Sequence, residues 1–276
     1  MTENLVAKLT SFKWLKEATL GRAKNLINSI NFVPHVIVRE VAGETFSFYI
    51  GNPTGKSWYG TDIDTSLEMQ FIKKEFIRPG TIAIECGAHH GAQSILLSRW
   101  VGNGGKVIVI EPMPENLAIL KKNIELNSLE NVVVIEKAAG PSRGFVSMKR
   151  SSNSAVKSDN SVNAIQVESV TLDEISKELG VIPTFIKIDI EGFEYKLLEG
   201  CREILSHKPG IFLEVHTLTL PRYGNKFEDL WNFLEPNDYD IFIQSDDFEE
   251  PSPYSPNEVP QDRVHLFFKP RKMDSH

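Results

Sequence analysis

The stretch IECGAHHGAQS, residues 84–94, sets two glycines, two histidines and a carboxylate directly behind an apolar run. TIAIEC at 81–86 reads as a strand and the residues near 91–101 as a helix, so the two glycines mark the turn of a strand-to-helix unit. The same alternation continues downstream. KVIVIE (106–111), NVVVIE (131–136), FIKIDI (185–190) and GIFLEV (210–215) are β-like runs, with helical patterns near 114–127 and 194–205. Strands alternating with helices predict parallel βαβ units, and runs apolar on both faces predict a sheet covered by helices on each side. Near the end, YDIFIQ (239–244) and RVHLFFK (263–269) read as an antiparallel hairpin joined by an acidic, proline-rich loop. KRSSNSAVKSDNSVNAIQ (149–166) reads as a loop flanked by short strands at 144–149 and 166–170.

Upstream, VIVREVAGETFSFYI (36–50) predicts a hairpin around a Gly-Glu turn, GNPTGKSWYGTD (51–62) a loop, and SLEMQFIKKEFI (66–77) a helix ending before Pro79-Gly80. Leu5, Leu9 and Phe12, with Lys8, Lys13 and Lys16 between them, predict an N-terminal helix that packs on the domain or on a second copy. Residues 1–78 are therefore expected to form a helical and hairpin extension, and 79–276 the main domain.

With 276 residues and 41% hydrophobic content, the chain can bury a full core. Its formal charge of -7 gives no basic footprint, so nucleic acid is not the expected partner and a small polar or neutral molecule is. Cys86 and Cys201 both lie in apolar runs and read as reduced thiols, which points to the cytoplasm. No run has the length of a membrane span and no signal-peptide pattern opens the sequence, so membrane insertion is not expected.

In an open parallel sheet the ligand sits beyond the carboxyl ends of the strands, which directs attention to Gly87–Gly91. A dinucleotide fingerprint needs glycine where His89 stands, and GNPTGKS at 51–57 has its glycines one step too close for a phosphate-binding loop. A glycine turn remains, with Glu111 ending the second strand, where a carboxylate can accept ribose hydroxyls. A nucleoside carrying an amino acid in place of a pyrophosphate fits both features.

A second group of polar residues lies in FIKIDIEGF (185–193). Extended, it puts Lys187, Asp189 and Glu191 on one face, and IFLEVH places Glu214 and His216 on one face of the next strand. Buried charges of this kind must pair, meet a ligand or lie at an open strand end. Asp189, Glu191 and His216 are the candidate general bases, with the acids favoured, and Lys187 is placed to polarise an acceptor oxygen or to hold an acid ionised. The spacings H-x-x-x-H and C-x-x-C are missing, so no metal ligand set is read.

IECGAHHGAQS (84–94), EPMPEN (111–116), VTLDEI (170–175), IKIDIEGFEYKLLEG (186–200) and EVH (214–216) together resemble the FkbM family of class I methyltransferases, over about 62–216. The resemblance implies a Rossmann-like α/β fold with a mostly parallel seven-stranded sheet and an antiparallel C-terminal hairpin. It also implies S-adenosyl-L-methionine as cofactor and methylation of a hydroxyl on a sugar, glycoconjugate or natural-product acceptor. Carried over residue by residue, it puts Glu85, Gly87, Ala88, His89 and Gly91 around the methionine portion. Glu111, followed by Pro112, falls on the ribose, and Lys137 and Ala138 beside the adenine. Ser94, Asn116 and Asp189 become further cofactor contacts, and Glu68 an acid closing over the site. Two positions depart from the family pattern: Glu85 stands where the family has Asp, and His89 where it has Asn. The latter leaves open an alternative in which the fold is kept as a non-catalytic nucleoside-binding scaffold.

Overall fold

The computed structural model describes residues 32–60, 67–149, 156, 164–246 and 249–271. The expected N-terminal helix lies outside these residues. Strands β1 (His35–Val41) and β2 (Glu44–Ile50) form an antiparallel hairpin. The turn residues are Ala42 and Gly43, both with positive φ (49° and 80°), rather than the expected Gly-Glu pair. Positive φ at both central residues gives the turn the twist a two-residue hairpin needs.

The stretch after β2 is not a loop: Pro53–Tyr59 forms helix α1. Asn52 caps it by accepting the Gly55 N–H at 2.7 Å, and Pro53 occupies the first turn, where its missing N–H costs nothing. Helix α2 (Leu67–Glu75) follows, then β3 (Ile82–Cys86), α3 (Ala92–Val101), β4 (Lys106–Ile110), α4 (Pro114–Leu126) and β5 (Val132–Ile135). Strands β6 (Ala138–Ala139), β7 (Gly144–Lys149) and β8 (Ala164–Val170) make a separate three-stranded sheet. Helix α5 (Leu172–Leu179) carries a capping box between Thr171 and Glu174 and leads into β9 (Phe185–Ile188). The single helix expected near 194–205 is divided into α6 (Glu194–Glu199) and α7 (Arg202–Ser206) around Gly200 and Cys201. Strands β10 (Gly210–Val215), β11 (Tyr239–Gln244), β12 (Ser252–Pro253) and β13 (Val264–Pro270) complete the chain.

Among the described residues the main sheet has eight strands, not seven, in the order β12-β11-β13-β10-β9-β3-β4-β5. The additional strand is the two-residue β12, which folds back on β11 from the proline-rich loop. β10, β9, β3, β4 and β5 are parallel, and β13 lies antiparallel between β10 and β11.

Side chains alternate across the sheet, and each face carries its own core. Ile84, Ile186, Ile188, Ile211 and Leu213 pack on Leu172 and Ile175 of α5, Leu197 of α6 and Ile204 of α7. Ala83, Val107, Val109, Phe185 and Phe212 pack on Met69 and Ile72 of α2, Ile95 and Leu97 of α3, and Leu117 and Leu120 of α4. Val41, Phe46, Phe48 and Ile50 of the hairpin belong to this second core, so the described part of the extension is packed onto the same sheet. This is a doubly wound α/β architecture with an antiparallel edge.

Candidate active site

The chain leaves β3 toward β4 and β5 on one side and later crosses to β9 and β10 on the other. The carboxyl ends of β3 and β9 therefore flank the point where strand order reverses, and a crevice opens there. Gly87 follows β3 with φ +84°, and a Cβ on it would lie 1.8 Å from the Asp189 carbonyl oxygen. Only glycine lets the turn pass so close to the end of β9. Gly91, at φ +86°, caps α3 against Leu120, whose Cδ1 would be 2.5 Å from a Cβ.

Between them His89 has φ +52°. Among residues other than glycine, Asn, Asp and His enter this left-handed region most readily, which explains how His stands where the family pattern has Asn. Its backbone N–H donates to Glu111 Oε2 at 2.9 Å, while Met113 N–H and Asn116 Nδ2 donate to Oε1 at 2.9 and 3.2 Å. Glu111 is 4% exposed, and burial pushes its carboxyl up to about 7 against these three donors. A carboxylate has about four acceptor positions, so capacity remains for a hydroxyl arriving from the crevice. The His89 ring stacks on His90 (centroids 3.8 Å apart), bonds Tyr59 Oη through Nδ1 at 2.7 Å and leans on Trp58 of α1. Burial, with His90 adding to it, lowers its pKa to about 3, so the ring is neutral.

The crevice encloses about 850 Å³ of empty space, part of it open to solvent. Gly87, His89, Glu111, Pro112, Asn116 and Ala138 line one end. Asp189, Glu191, Glu214, Phe193, Arg263 and Trp58 line the other parts. The predicted cofactor residues Glu85, Ala88, Gly91, Ser94, Lys137 and Glu68 do not line it. Glu85 lies beneath the turn, 1% exposed, accepting Ser94 Oγ–H at 2.5 Å. Lys137 pairs with Glu168 at 2.8 Å, and Glu68 reaches Gln93 (3.2 Å) and His265 (3.3 Å).

The charged cluster is assembled differently from a single extended face. Strand β9 stops at Ile188, and Glu191 is in the left-handed region at φ 57°, so a turn rather than strand alternation delivers it. Lys187 lies beside Glu85 across β3 and β9, 2% exposed, with Nζ 3.5 Å from Asp189 Oδ2. Burial alone would depress this ammonium, but Asp189, Glu85, Glu68 and Glu214 raise it to about 12. Burial pushes Asp189 up to about 7, with Lys187 pulling against it, and also raises Glu191.

His216 Nδ1 is 2.8 Å from Glu194 Oε1, and its Nε2 is 3.5 Å from both Glu191 and Glu214. Burial works against its charge, yet Glu194, Glu214 and Asp189 raise it to about 9, so in the free protein the ring is a cation. Glu214 also accepts from Arg263 at 2.9 Å and faces His265 at 3.5 Å; despite burial, His265, His216 and Lys187 hold its pKa well below the carboxylate range. Glu194, Arg263 and His265 were not legible as site residues. Glu194 sits in the helical half of IEGFEYKLLEG with no pattern of its own, and Arg263 and His265 arrive from β13 and the loop before it.

A switch-point crevice with a glycine turn, an acid after the neighbouring strand and titratable groups facing it is the arrangement of a Rossmann-like fold that takes a nucleoside-type ligand. The sequence profile of the methyltransferase FkbM domain matches residues 85–241, more than half of the chain. The chain belongs to the FkbM methyltransferase family. No curated protein matches the sequence. Solved structures of similar outline include TYW2 of M. jannaschii in complex with AdoMet (15% identity, 87% of this chain and 89% of that one, TM-score 0.47). An rRNA methylase from Streptococcus thermophilus (9%, 75% and 95%, 0.45) and a SAM-dependent methyltransferase from Aquifex aeolicus (14%, 79% and 98%, 0.42) are others.

Proposed function

We propose that the protein transfers a methyl group to an oxygen, a hydroxyl on a sugar, glycoconjugate or natural-product acceptor, in the cytoplasm. The observation that carries this reading is the meeting of Asp189, Glu191 and Glu214 on the wall of the crevice that Gly87, His89 and Glu111 also line. A hydroxyl acceptor must lose a proton to become a good nucleophile, and a base works best with a pKa near the working pH. Asp189, at about 7, meets that condition, and Glu191 is shifted in the same direction. His216, raised to about 9, already holds a proton and serves instead to anchor the acids. Lys187 is enclosed and holds Asp189 and Glu85 rather than touching an acceptor.

The donor set fits S-adenosylmethionine: the 87–91 turn and Glu111 would hold it, with Pro112, Asn116 and Ala138 against the nucleoside. When bound, it supplies an electrophilic methyl on a sulfonium. The chain's part is to fix the acceptor in line with that methyl and to take the hydroxyl proton, positioning being the larger contribution. Trp58, 46% exposed at the rim, offers a flat apolar surface to a sugar ring. An acid-lined mouth on a chain of charge -7 supports a neutral acceptor over a phosphate-rich one such as RNA. No helix among the described residues is long and apolar enough to cross a membrane. Self-association through the N-terminal extension is part of the proposal, supported by Val36 and Val38 exposed on β1. Light scattering of Val36→Ser/Val38→Ser would then read a lower mass, and an unchanged mass would refute it.

The test of the acceptor is incubation with methyl-labelled S-adenosylmethionine and a panel of sugars, glycoconjugates, natural-product alcohols, amines and RNA, read by mass spectrometry. Label on a hydroxyl-bearing small molecule is expected, with turnover lowered about 100-fold or more by Asp189→Asn or Glu191→Gln. Label confined to amines or RNA, or full turnover in both variants, would overturn the reading.

A further inference from the structure

We infer that Asp189, Glu214 and His216 form a binding site for a divalent cation at the acceptor end of the crevice. One ligand atom of each residue lies within 4.8 Å of the others, close enough to share one ion. Two carboxylates and an imidazole are a donor set suited to first-row divalent ions such as Mn²⁺.

A second observation concerns the far side of the imidazole. Glu194 is fully buried, and its Oε1 lies 2.8 Å from His216 Nδ1. With Nδ1–H donated to Glu194, Nε2 is turned toward Glu191 and Glu214, each at 3.5 Å. Metal-bound histidines are commonly held in this way, by a carboxylate on the nitrogen away from the ion. Among the described residues, Oε2 of Glu194 is buried and without a hydrogen-bond partner, and the carboxylate's ion pair is the one with His216. Its other contact is the Gly192 N–H, which donates to the same Oε1 at 2.7 Å and fixes the turn that brings Glu191 to the site.

Lys187 lies 3.5 Å from Asp189 and Arg263 2.9 Å from Glu214, so an ion would share these carboxylates with two fixed cations. Asp189 and Glu214 line the crevice, so the ion would keep coordination positions open toward a ligand there. Such an ion lowers the pKa of a bound hydroxyl. Glu191, outside the ligand set and 3.5 Å from His216, then takes the acceptor proton in place of Asp189. The inference deepens the hydroxyl-methylation reading in that one respect. Ion binding itself does not rest on it.

Mn²⁺ alone, titrated into the full chain and followed by the electron paramagnetic resonance of free Mn²⁺, tests the site. Saturable binding of one ion per chain is expected. His216→Ala and Asp189→Asn should each weaken it at least 10-fold, Glu194→Gln by about 10–100-fold, and Lys121→Gln not at all. Absence of saturable binding to the wild-type chain overturns the site, as does equal binding in His216→Ala and Asp189→Asn; the wild-type titration decides alone for any variant that does not fold. Methyl transfer that proceeds undiminished with excess chelator overturns the ion's part in the reaction and leaves the hydroxyl reading intact. Mn²⁺ bound by these residues with label appearing only on RNA or amines overturns the hydroxyl reading and leaves the ion site standing.

Discussion

At the scale of single residues, the 87–91 turn is governed by backbone conformation more than by side-chain chemistry. Gly87→Ala would drive a Cβ into the Asp189 carbonyl at a positive φ, so about 2–4 kcal/mol of stability should be lost. Chemical unfolding followed by fluorescence measures this, and an unchanged midpoint would contradict the geometry. His89 gives a complementary prediction. His89→Asn keeps a residue tolerant of φ +52° and should bind S-adenosylmethionine nearly as well as the wild type, whereas β-branched His89→Val should bind at least 10-fold more weakly in calorimetry. Equal affinities for the two variants would show that the turn's conformation does not govern binding. The glycine turn after β3 and the position of Glu111 just after β4 were legible because local spacing expresses them. The His89 departure was not interpretable until its φ was known.

At the scale of elements, α1 shows where reading by composition fails. Gly, Pro and aromatic residues at 51–62 suggested a loop, yet Asn52 and Pro53 are helix-start residues, and the cap they form brings Trp58 and Tyr59 against His89. Asn52→Ala should cost about 1 kcal/mol and lower Tm, with a change in tryptophan fluorescence as Trp58 loses its place. A Tm equal to the wild type's would remove the cap from the account. The parallel strands were legible because each is built on a run of apolar residues, broken only by single charges such as Glu85, Lys187 and Glu214. The charged cluster was legible only in part: the alternation in FIKIDI placed Lys187 and Asp189 beside the strand end, but Glu191 arrives by a left-handed turn, and Glu194, Arg263 and His265 arrive through tertiary packing that no local period encodes.

At the scale of the whole molecule, the buried site should make stability depend on pH in a defined direction. Asp189 and Glu111, raised to about 7 from ordinary values of 3.8 and 4.5, stabilise the fold while protonated, a contribution lost as pH rises toward and through 7. His216, raised from 6.5 to about 9, adds stability that is complete below 6.5 and lost as pH rises through 9. Glu214, held low, acts in the opposite sense and contributes above 4.5. The Tm of the cofactor-free chain should therefore be highest at mildly acidic pH and fall toward pH 9, and His216→Gln should flatten the portion above 6.5. A Tm that rises from pH 6 to 9 would contradict the site's electrostatics. The central claim, that this crevice is the S-adenosylmethionine site of an FkbM methyltransferase, is tested most directly by calorimetry of the chain with S-adenosylmethionine and its demethylated product. Saturable binding to the wild type is predicted, weakened at least 10-fold, or about 1.4 kcal/mol, in Glu111→Ala. No binding to the wild type, or undiminished binding to Glu111→Ala, would contradict it.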